Sequence, residues 1–271
     1  MDEHRTGIGG QQIAFMQSKG AGRPVIFVHG NSSSARTWHP VITGWFGQRF
    51  RCLAFDLPGH GESGQAPDPA GYSLPGYAAV LAGFAAAAGA DGAVIVGWSL
   101  GGHVALEAVP ALPAVAGYVI FGTPPVGAAS QLAAAFLPNP AMNTGFTATV
   151  DAEQARAYAA TFTAPGSALD LDGFVTDVLR TDGAARAGLG ASLGEGRFAD
   201  EVAIAASMPG PLAILHGERE QLVSLDYLRT LTIPALWRGE IQLIPDAGHA
   251  PHQETPDAFA SLVEQFITDL D

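Results

Sequence analysis

The sequence predicts an α/β fold, in which a doubly wound and mostly parallel sheet carries a helical cap inserted between two core strands. Short, continuously apolar runs are typical of parallel strands that are buried on both faces. They cover residues 25–28, 52–55, 94–96, 118–121, 212–215 and 241–244. Helix-compatible segments at 77–88 and 103–109 separate several of the runs, and this alternation indicates a doubly wound sheet. We expect residues 12–17 to add a more exposed strand at the start.

Residues 124–208 interrupt this alternation. The segment follows Thr123 and contains Ala-rich helical stretches with scattered aromatic residues, and no strand-like run appears before residue 212. We therefore predict a division into a core of residues 1–123 and 209–271 and a helical cap of residues 124–208. The cap would lie over the loops at the carboxyl ends of the strands.

Composition excludes several classes of function. The 271 residues are 48% hydrophobic and 14% charged, which suits a large buried core. A formal net charge of −13 argues against nucleic acid and against anionic membrane surfaces as partners. The single cysteine, Cys52, rules out an intramolecular disulfide. Neither a signal-peptide pattern nor a membrane-spanning apolar run is evident, so we expect a cytoplasmic protein without a membrane partner.

The segment Gly97-Trp98-Ser99-Leu100-Gly101 fits the pattern G-x-S-x-G. It follows the apolar run 93–96 and precedes a helix-favouring segment, which is the strand–turn–helix context of a nucleophile elbow. The sequence therefore predicts that Ser99 is a nucleophile held on a sharp turn above the sheet.

Two further groups are needed to activate a serine, and both occur at predicted strand ends. Open parallel sheets bind ligands at the carboxyl ends of their strands. His249 follows the last strand and is the predicted general base, and a carboxylate would orient it. Glu220 is the favoured acid after the strand near residue 215, with Glu218 as the runner-up and Asp246 as a weaker alternative. The chain order serine, acid, histidine is that of one large hydrolase fold.

Two backbone amides are candidates for an oxyanion hole. The N–H of Leu100 directly follows the nucleophile, and the N–H of Asn31 lies in the loop after the first buried strand. Main-chain donors of this kind stabilise the tetrahedral oxyanion of acyl transfer.

Neither a cofactor nor a metal is expected. Residues 59–64 fit G-x-G-x-x-G, but a loop follows them instead of a helix, and no acid stands at the position that a dinucleotide site requires. The pair His249 and His252 lacks the further ligands that complete a metal coordination shell.

Taken in order, five sequence blocks resemble the metal-independent N-acyl-homoserine lactone lactonases within the α/β-hydrolases. The blocks are residues 29–34, 56–63, 97–103, 122–126 and 247–251. The resemblance implies an α/β-hydrolase fold, a triad of Ser99, His249 and Glu220, and an oxyanion hole at Asn31 and Leu100. It also implies that Tyr158 in the cap contacts the lactone, and we expect Trp98 to contact the substrate as well. One departure is Gln221, because similar enzymes often have a proline after the acid.

The resulting hypothesis is a serine hydrolase that opens the lactone ring of N-acyl-homoserine lactones through an acyl-enzyme. The expected partner is a small ester or lactone with an acyl chain, and the sequence does not specify an oligomeric state. Two alternatives remain at this point: a carboxylesterase for other small apolar esters, and a low-turnover small-molecule receptor that keeps a hydrolase pocket.

Overall fold

The computed structural model of the protein describes residues 2–271, and one eight-stranded sheet forms its centre. The strands are β1 (Asp2–Ile8), β2 (Gln11–Gln17), β3 (Gly22–Val28), β4 (Phe50–Phe55), β5 (Val94–Trp98), β6 (Gly117–Phe121), β7 (Leu212–Gly217) and β8 (Gln242–Ile244). All six apolar runs of the sequence form strands, although Leu243 in the edge strand β8 is exposed. The predicted α/β class with a central, mostly parallel sheet is confirmed.

The strand order is β1-β2-β4-β3-β5-β6-β7-β8. In this order, every pair of neighbouring strands from β4 to β8 is parallel. At the other edge, β1 pairs with β2 and β2 with β4, both in antiparallel orientation. The expectation of a first strand over residues 12–17 was incomplete, because Asp2–Ile8 forms a strand before it. That segment is polar and lies at the edge of the sheet, so it carries no buried apolar run.

Twelve α-helices accompany the sheet in residues 2–271. They are α1 (His39–Ile42), α2 (Trp45–Arg49), α3 (Leu74–Ala87), α4 (Leu100–Ala108), α5 (Leu132–Ala135), α6 (Ala152–Ala159), α7 (Asp172–Arg180), α8 (Gly183–Gly194), α9 (Glu201–Ala206), α10 (Leu225–Thr230), α11 (Pro251–Glu254) and α12 (Pro256–Thr268). Helices α3 and α4 pack together, and α1 packs with α11 and α12. Right-handed crossovers in a sheet of this order place these groups on opposite faces. None of the described helices combines the length and apolarity needed to cross a membrane.

The described chain between β6 and β7 contains helices α5 to α9 and no strand. We call residues 124–208 the helical segment. Among its contacts with the strand ends and the loops that follow them, Asn31 Nδ2 donates to the carbonyl of Gly145 at 2.6 Å, and the ring of Phe162 meets that of Trp98 edge-on at 5.4 Å. These contacts hold the helical segment against the carboxyl edge of the sheet.

The Arg186 side chain links separate parts of the helical segment to one another. Its side chain is buried, and its guanidinium donates to four backbone carbonyls at 2.8–3.1 Å. These acceptors are Thr147, Ala148, Val178 and Thr181. One side chain therefore joins the loop before α6 to the end of α7.

Replacing Arg186 should loosen this segment. Arg186→Met keeps most of the side-chain volume but leaves buried carbonyls without donors, so we expect a loss of about 3 kcal/mol or more in the free energy of unfolding in urea. Arg180→Met is the matched control, because Arg180 is half-exposed and pairs only with Glu62. That control should cost less than about 1 kcal/mol. Equal losses in the two variants would contradict the role given to Arg186.

Candidate active site

Ser99 lies at the junction of β5 and α4 in a strained backbone conformation. Its φ is 53° and its ψ is −118°, a region that non-glycine residues rarely occupy. The neighbouring chain approaches closely, since a Cβ on Gly101 would lie 2.1 Å from the carbonyl oxygen of Val28. Thr123 Oγ1 donates to the carbonyl of Ser99 at 2.8 Å. The predicted elbow is present, with glycine at the position where no side chain fits.

His249 and Glu220 form a buried pair beside the elbow. Nδ1 of His249 lies 2.8 Å from Oε2 of Glu220, and both side chains are only 2% exposed. The other carboxylate oxygen of Glu220 accepts the N–H of Leu222 at 2.8 Å. Glu218 and Asp246 are exposed and do not contact the imidazole through any described hydrogen bond. Of the three acids considered, the geometry selects Glu220.

The electrostatics of the pair favour an ionised carboxylate. Burial acts to raise the pKa of Glu220, but the charge and hydrogen bond of His249, together with the N–H of Leu222, hold that pKa below its ordinary value. A carboxylate accepting from Nδ1 leaves Nε2 as the basic nitrogen of a neutral imidazole.

Nε2 of His249 is buried and carries no hydrogen bond to any group in residues 2–271. The ring lies against Gly122, where a Cβ would be 2.6 Å from Cε1 and φ is +60°. A side chain at position 122 would push the imidazole out of place. The arrangement leaves Nε2 available for a proton, and catalytic hydrogen bonds often tighten only when substrate is bound.

The two amides considered for an oxyanion hole are also unengaged. Within the described part of the chain, the backbone N–H groups of Asn31 and Leu100 donate to no protein acceptor. Both residues line the same cavity as Ser99 and His249. Two free N–H groups beside a serine are suited to a developing oxyanion.

A cavity of about 900 Å³ lies between the strand-end loops and the helical segment. Most of its wall is apolar, and its polar side chains are few: Asn31, Ser99, His103, Tyr158 and His249. The apolar wall comprises residues such as Leu74, Val126, Leu132, Phe136, Met142, Leu189, Leu193, Phe198 and Leu222. A wall of this composition suits a ligand with a long apolar part and one polar end.

Tyr158 lies where a substrate contact would place it. It lines the cavity and is 6% exposed, and burial raises the pKa of its hydroxyl. A Cβ on Gly145 would lie 2.6 Å from the Tyr158 hydroxyl oxygen and 2.8 Å from Asn31 Nδ2. Gly145 therefore allows Tyr158 and Asn31 to converge near Ser99.

Trp98 is placed differently from the expectation. Its indole is 1% exposed and does not line the cavity, so the prediction of a substrate contact is not supported. Instead, Nε1 donates to the carbonyl oxygen of His249 at 2.8 Å. The rings of Phe162 and Phe174 in the helical segment pack against the Trp98 indole at centroid distances of 5.4 and 6.1 Å. Trp98 supports the loop that carries His249.

His29 and His60 have structural roles in the loops that follow β3 and β4. Nδ1 of His29 contacts the carbonyl of Gly30 at 2.8 Å, and its Nε2 accepts the N–H of Leu57 at 3.0 Å. Burial, with the neighbouring His60, lowers the pKa of His29 to about 3, and burial lowers the pKa of His60 to about 4. Both rings are therefore neutral parts of the loop framework.

One polar feature of the cavity has no counterpart in the sequence prediction. His103 lines the cavity, and its Nδ1 lies 2.8 and 2.9 Å from the two carboxylate oxygens of Glu201. Because His103 stands one helical turn after Ser99, its place in the cavity wall could have been inferred from the sequence. Glu201 lies 98 residues away in the helical segment, and no local pattern marks the pair.

No group of three or more His, Cys, Asp or Glu side chains able to hold a metal ion occurs in residues 2–271.

Comparison with known proteins places this geometry among hydrolases. A family model described as alpha/beta hydrolase family matches residues 25–262. The solved structure of a mutant of N-acyl homoserine lactonase AidH, complexed with N-hexanoyl homoserine lactone, is 34% identical. Its TM-score is 0.94, with 100% of this chain and 98% of that chain covered. A second AidH structure, complexed with N-butanoyl homoserine, has the same identity and TM-score and covers 97% of that chain.

Curated relatives match over shorter regions. A pimeloyl-[acyl-carrier protein] methyl ester esterase of Methylococcus capsulatus is 39% identical over 112 residues, which are 41% of this chain and 41% of that protein. Esterase Rv0045c of Mycobacterium tuberculosis is 34% identical over 108 residues, 40% of this chain and 35% of that protein. The chain thus aligns with less than half the length of either curated relative.

Glu220 and Glu218 lie on the same loop, and a comparison of variants at the two positions tests the site directly. Glu220→Gln should lower kcat for a 4-nitrophenyl ester by a factor of about 10³–10⁴, because an amide no longer fixes the imidazole in the reactive tautomer. Glu218→Gln removes an exposed carboxylate on the same loop and should leave kcat unchanged. A larger loss in Glu218→Gln would show that the acid has been assigned incorrectly.

Proposed function

The chain belongs to the alpha/beta hydrolase family, and we propose that within it the protein opens the lactone ring of N-acyl homoserine lactones through an acyl-enzyme on Ser99. That it is an ester-hydrolysing enzyme follows from the family and from its relatives. The observation that carries the finer proposal is the similarity to the AidH lactonase, which covers this whole chain at 34% identity.

The cavity supports the same substrate class. The hydroxyl of Tyr158 and the side-chain amide of Asn31 approach each other at Gly145, Ser99 lines the same cavity, and the remainder of the wall is largely aliphatic and aromatic. An N-acyl homoserine lactone has a compact polar ring and amide joined to an apolar tail, which matches this division. A chain with a net charge of −13 has no general attraction for acidic substrates, and a neutral lactone requires none.

In the proposed acylation step, Nε2 of His249 removes the proton from the Ser99 hydroxyl as its oxygen attacks the lactone carbonyl carbon. The negative charge that develops on the carbonyl oxygen is held by the N–H groups of Asn31 and Leu100. The ring C–O bond then breaks, and the imidazolium returns the proton to the leaving alkoxide. Glu220 stabilises the imidazolium in the interval.

In deacylation, His249 removes a proton from water as the water oxygen attacks the acyl-enzyme carbonyl, and the proton returns to Ser99. The leaving alcohol of a lactone stays attached to the acyl part throughout. A single ring-opened hydroxy acid is therefore the product. In this scheme the proposed cap, residues 124–208, encloses the tail while the chemistry occurs at the strand ends.

A carboxylesterase for other small apolar esters is the second candidate. The observation that favours it is the match to two esterases, each over about 110 residues. The same Ser99, His249 and Glu220 would act in either enzyme, so the substrate distinguishes the two functions.

A substrate panel tests the proposal. The purified protein should open N-acyl homoserine lactones, with acid release followed in a pH-stat, and Ser99→Ala should lower kcat by a factor of about 10⁴ or more. Ser207→Ala, at an exposed serine outside the cavity, is the control and should match the parent protein. Turnover of 4-nitrophenyl esters without lactone opening would replace the lactonase by the esterase. Lactone binding without turnover of any ester would point to a receptor.

The cavity also predicts a dependence on tail length. Each buried methylene contributes up to about 0.8 kcal/mol, so kcat/KM should rise two- to four-fold per carbon between butanoyl and decanoyl lactones. Ala187 lines the cavity, whereas Ala184 on the same helix is exposed and does not. Ala187→Phe should reduce the rate for decanoyl but spare butanoyl lactone, and Ala184→Phe should change neither. A flat profile in the parent protein would contradict an apolar tail site.

A further inference from the structure

The mechanism above leaves one buried pair in the cavity wall unused. His103 is on α4, and its side chain is 14% exposed, whereas Glu201 at the start of α9 is fully buried. Glu201 makes three contacts: both carboxylate oxygens lie within 2.9 Å of His103 Nδ1, and Oε2 also accepts the N–H of Val126 at 3.0 Å. The carboxylate is thus held from two sides, and it fixes the orientation of the imidazole.

The second nitrogen of this imidazole is free. Among the hydrogen bonds of residues 2–271, Nε2 of His103 has no partner, although the residue lines the cavity. Its neighbours there are apolar: the ring centroid of Phe136 lies 6.4 Å away, and Val126 and Phe198 belong to the same wall. A polar atom in an apolar wall loses free energy when a purely hydrocarbon ligand covers it. A ligand with a matching polar atom avoids that loss.

We propose that His103 is a specificity-determining residue that binds an oxygen substituent on the third carbon of the acyl chain of the lactone. The proposal rests on the function proposed above for its substrate class. The N–H of His103 donates to the carbonyl of Ser99 at 3.3 Å, so the two residues are one helical turn apart, and both line the cavity. In an N-acyl homoserine lactone, the amide and the ring α-carbon join the acyl chain to the lactone carbonyl that Ser99 attacks. When that carbonyl is at Ser99, the third acyl carbon lies beyond the amide, where the chain follows the cavity wall that contains His103.

The chemistry of the pair defines which oxygen groups it can bind. With Nδ1–H donated to Glu201, a neutral imidazole presents a lone pair at Nε2 and accepts from a hydroxyl group. A protonated imidazole presents an N–H and donates to a keto oxygen. Glu201 is accordingly a positioning residue, because it acts on the substrate only through His103.

Three matched substrates test the proposal: hexanoyl homoserine lactone and its 3-hydroxy and 3-keto derivatives. We expect kcat/KM for at least one oxygenated lactone to exceed that for the plain lactone about three- to ten-fold, mainly through KM, as one hydrogen bond contributes. His103→Leu should bring this ratio to about one. His103→Gln should keep part of it, because a glutamine retains a polar group at the same wall. Phe136→Leu reshapes the same wall without removing a polar atom and should keep the full ratio.

Two additions guard against misfolding and against failure of the proposed function. In the double variant His103→Leu/Glu201→Gln, no buried carboxylate is left without its partner and the acceptor for the Val126 N–H is kept, so this variant should fold and also lose the ratio. Calorimetric binding of the three lactones to Ser99→Ala measures the same ratio without turnover.

The outcomes separate the two proposals. If the protein opens no lactone but its binding ratio still depends on His103, the proposed lactonase activity is overturned and the proposed role of His103 stands. If the protein opens the plain and the oxygenated lactones with equal efficiency, the proposed lactonase activity stands and the proposed role of His103 is overturned. A ratio that survives in His103→Leu, or no binding of any of the three lactones, overturns it as well.

Discussion

The strained backbone of Ser99 is the constraint on which the rest of the site depends. A non-glycine residue at a φ of 53° and a ψ of −118° costs about 1–3 kcal/mol, so packing must hold it there. The close approach of Gly101 to β3 supplies that packing, because any larger residue would collide with the carbonyl of Val28. The same approach brings the loop after β3, with Asn31, beside the N–H of Leu100. The proposed nucleophile and the proposed oxyanion donors are therefore positioned by one local packing arrangement.

The buried pair of Glu220 and His249 depends on that frame in a different way. Transferring a carboxylate from water to a site that is 2% exposed is costly unless its oxygens find donors. Here one oxygen of Glu220 accepts a hydrogen bond from Nδ1 of His249, and the other accepts one from the N–H of Leu222. Because both oxygens are engaged, the carboxylate is fixed in place, and it in turn fixes the orientation of the imidazole. Trp98 also supports this arrangement, since its indole N–H donates a hydrogen bond to the carbonyl oxygen of His249.

Sequence patterns predicted the features that arise locally and missed those that arise from distant contacts. Buried parallel strands are apolar runs, and the residues that follow them reach one edge of the sheet, so Ser99, Glu220 and His249 could be found without coordinates. Strand β1 was missed because its sequence is polar and contains no apolar run. The burial of Trp98 was not predictable in this way, because it depends on packing against Phe162 and Phe174, which lie far away in the sequence.

Substrate choice is the least predictable property for the same physical reason. The triad comes from loops whose position the sheet dictates, whereas much of the cavity wall comes from the helical segment, where the sequence is rich in alanine and carries no motif. Contacts such as His103 with Glu201 span 98 residues and depend on how α9 docks onto α4. Only interactions that are stronger in the transition state raise kcat, and in the proposed mechanism the free N–H groups of Asn31 and Leu100 supply these for any ester. Discrimination among esters must then come from the wall, so changes in the helical segment can alter the substrate while the chemistry at the strand ends stays the same.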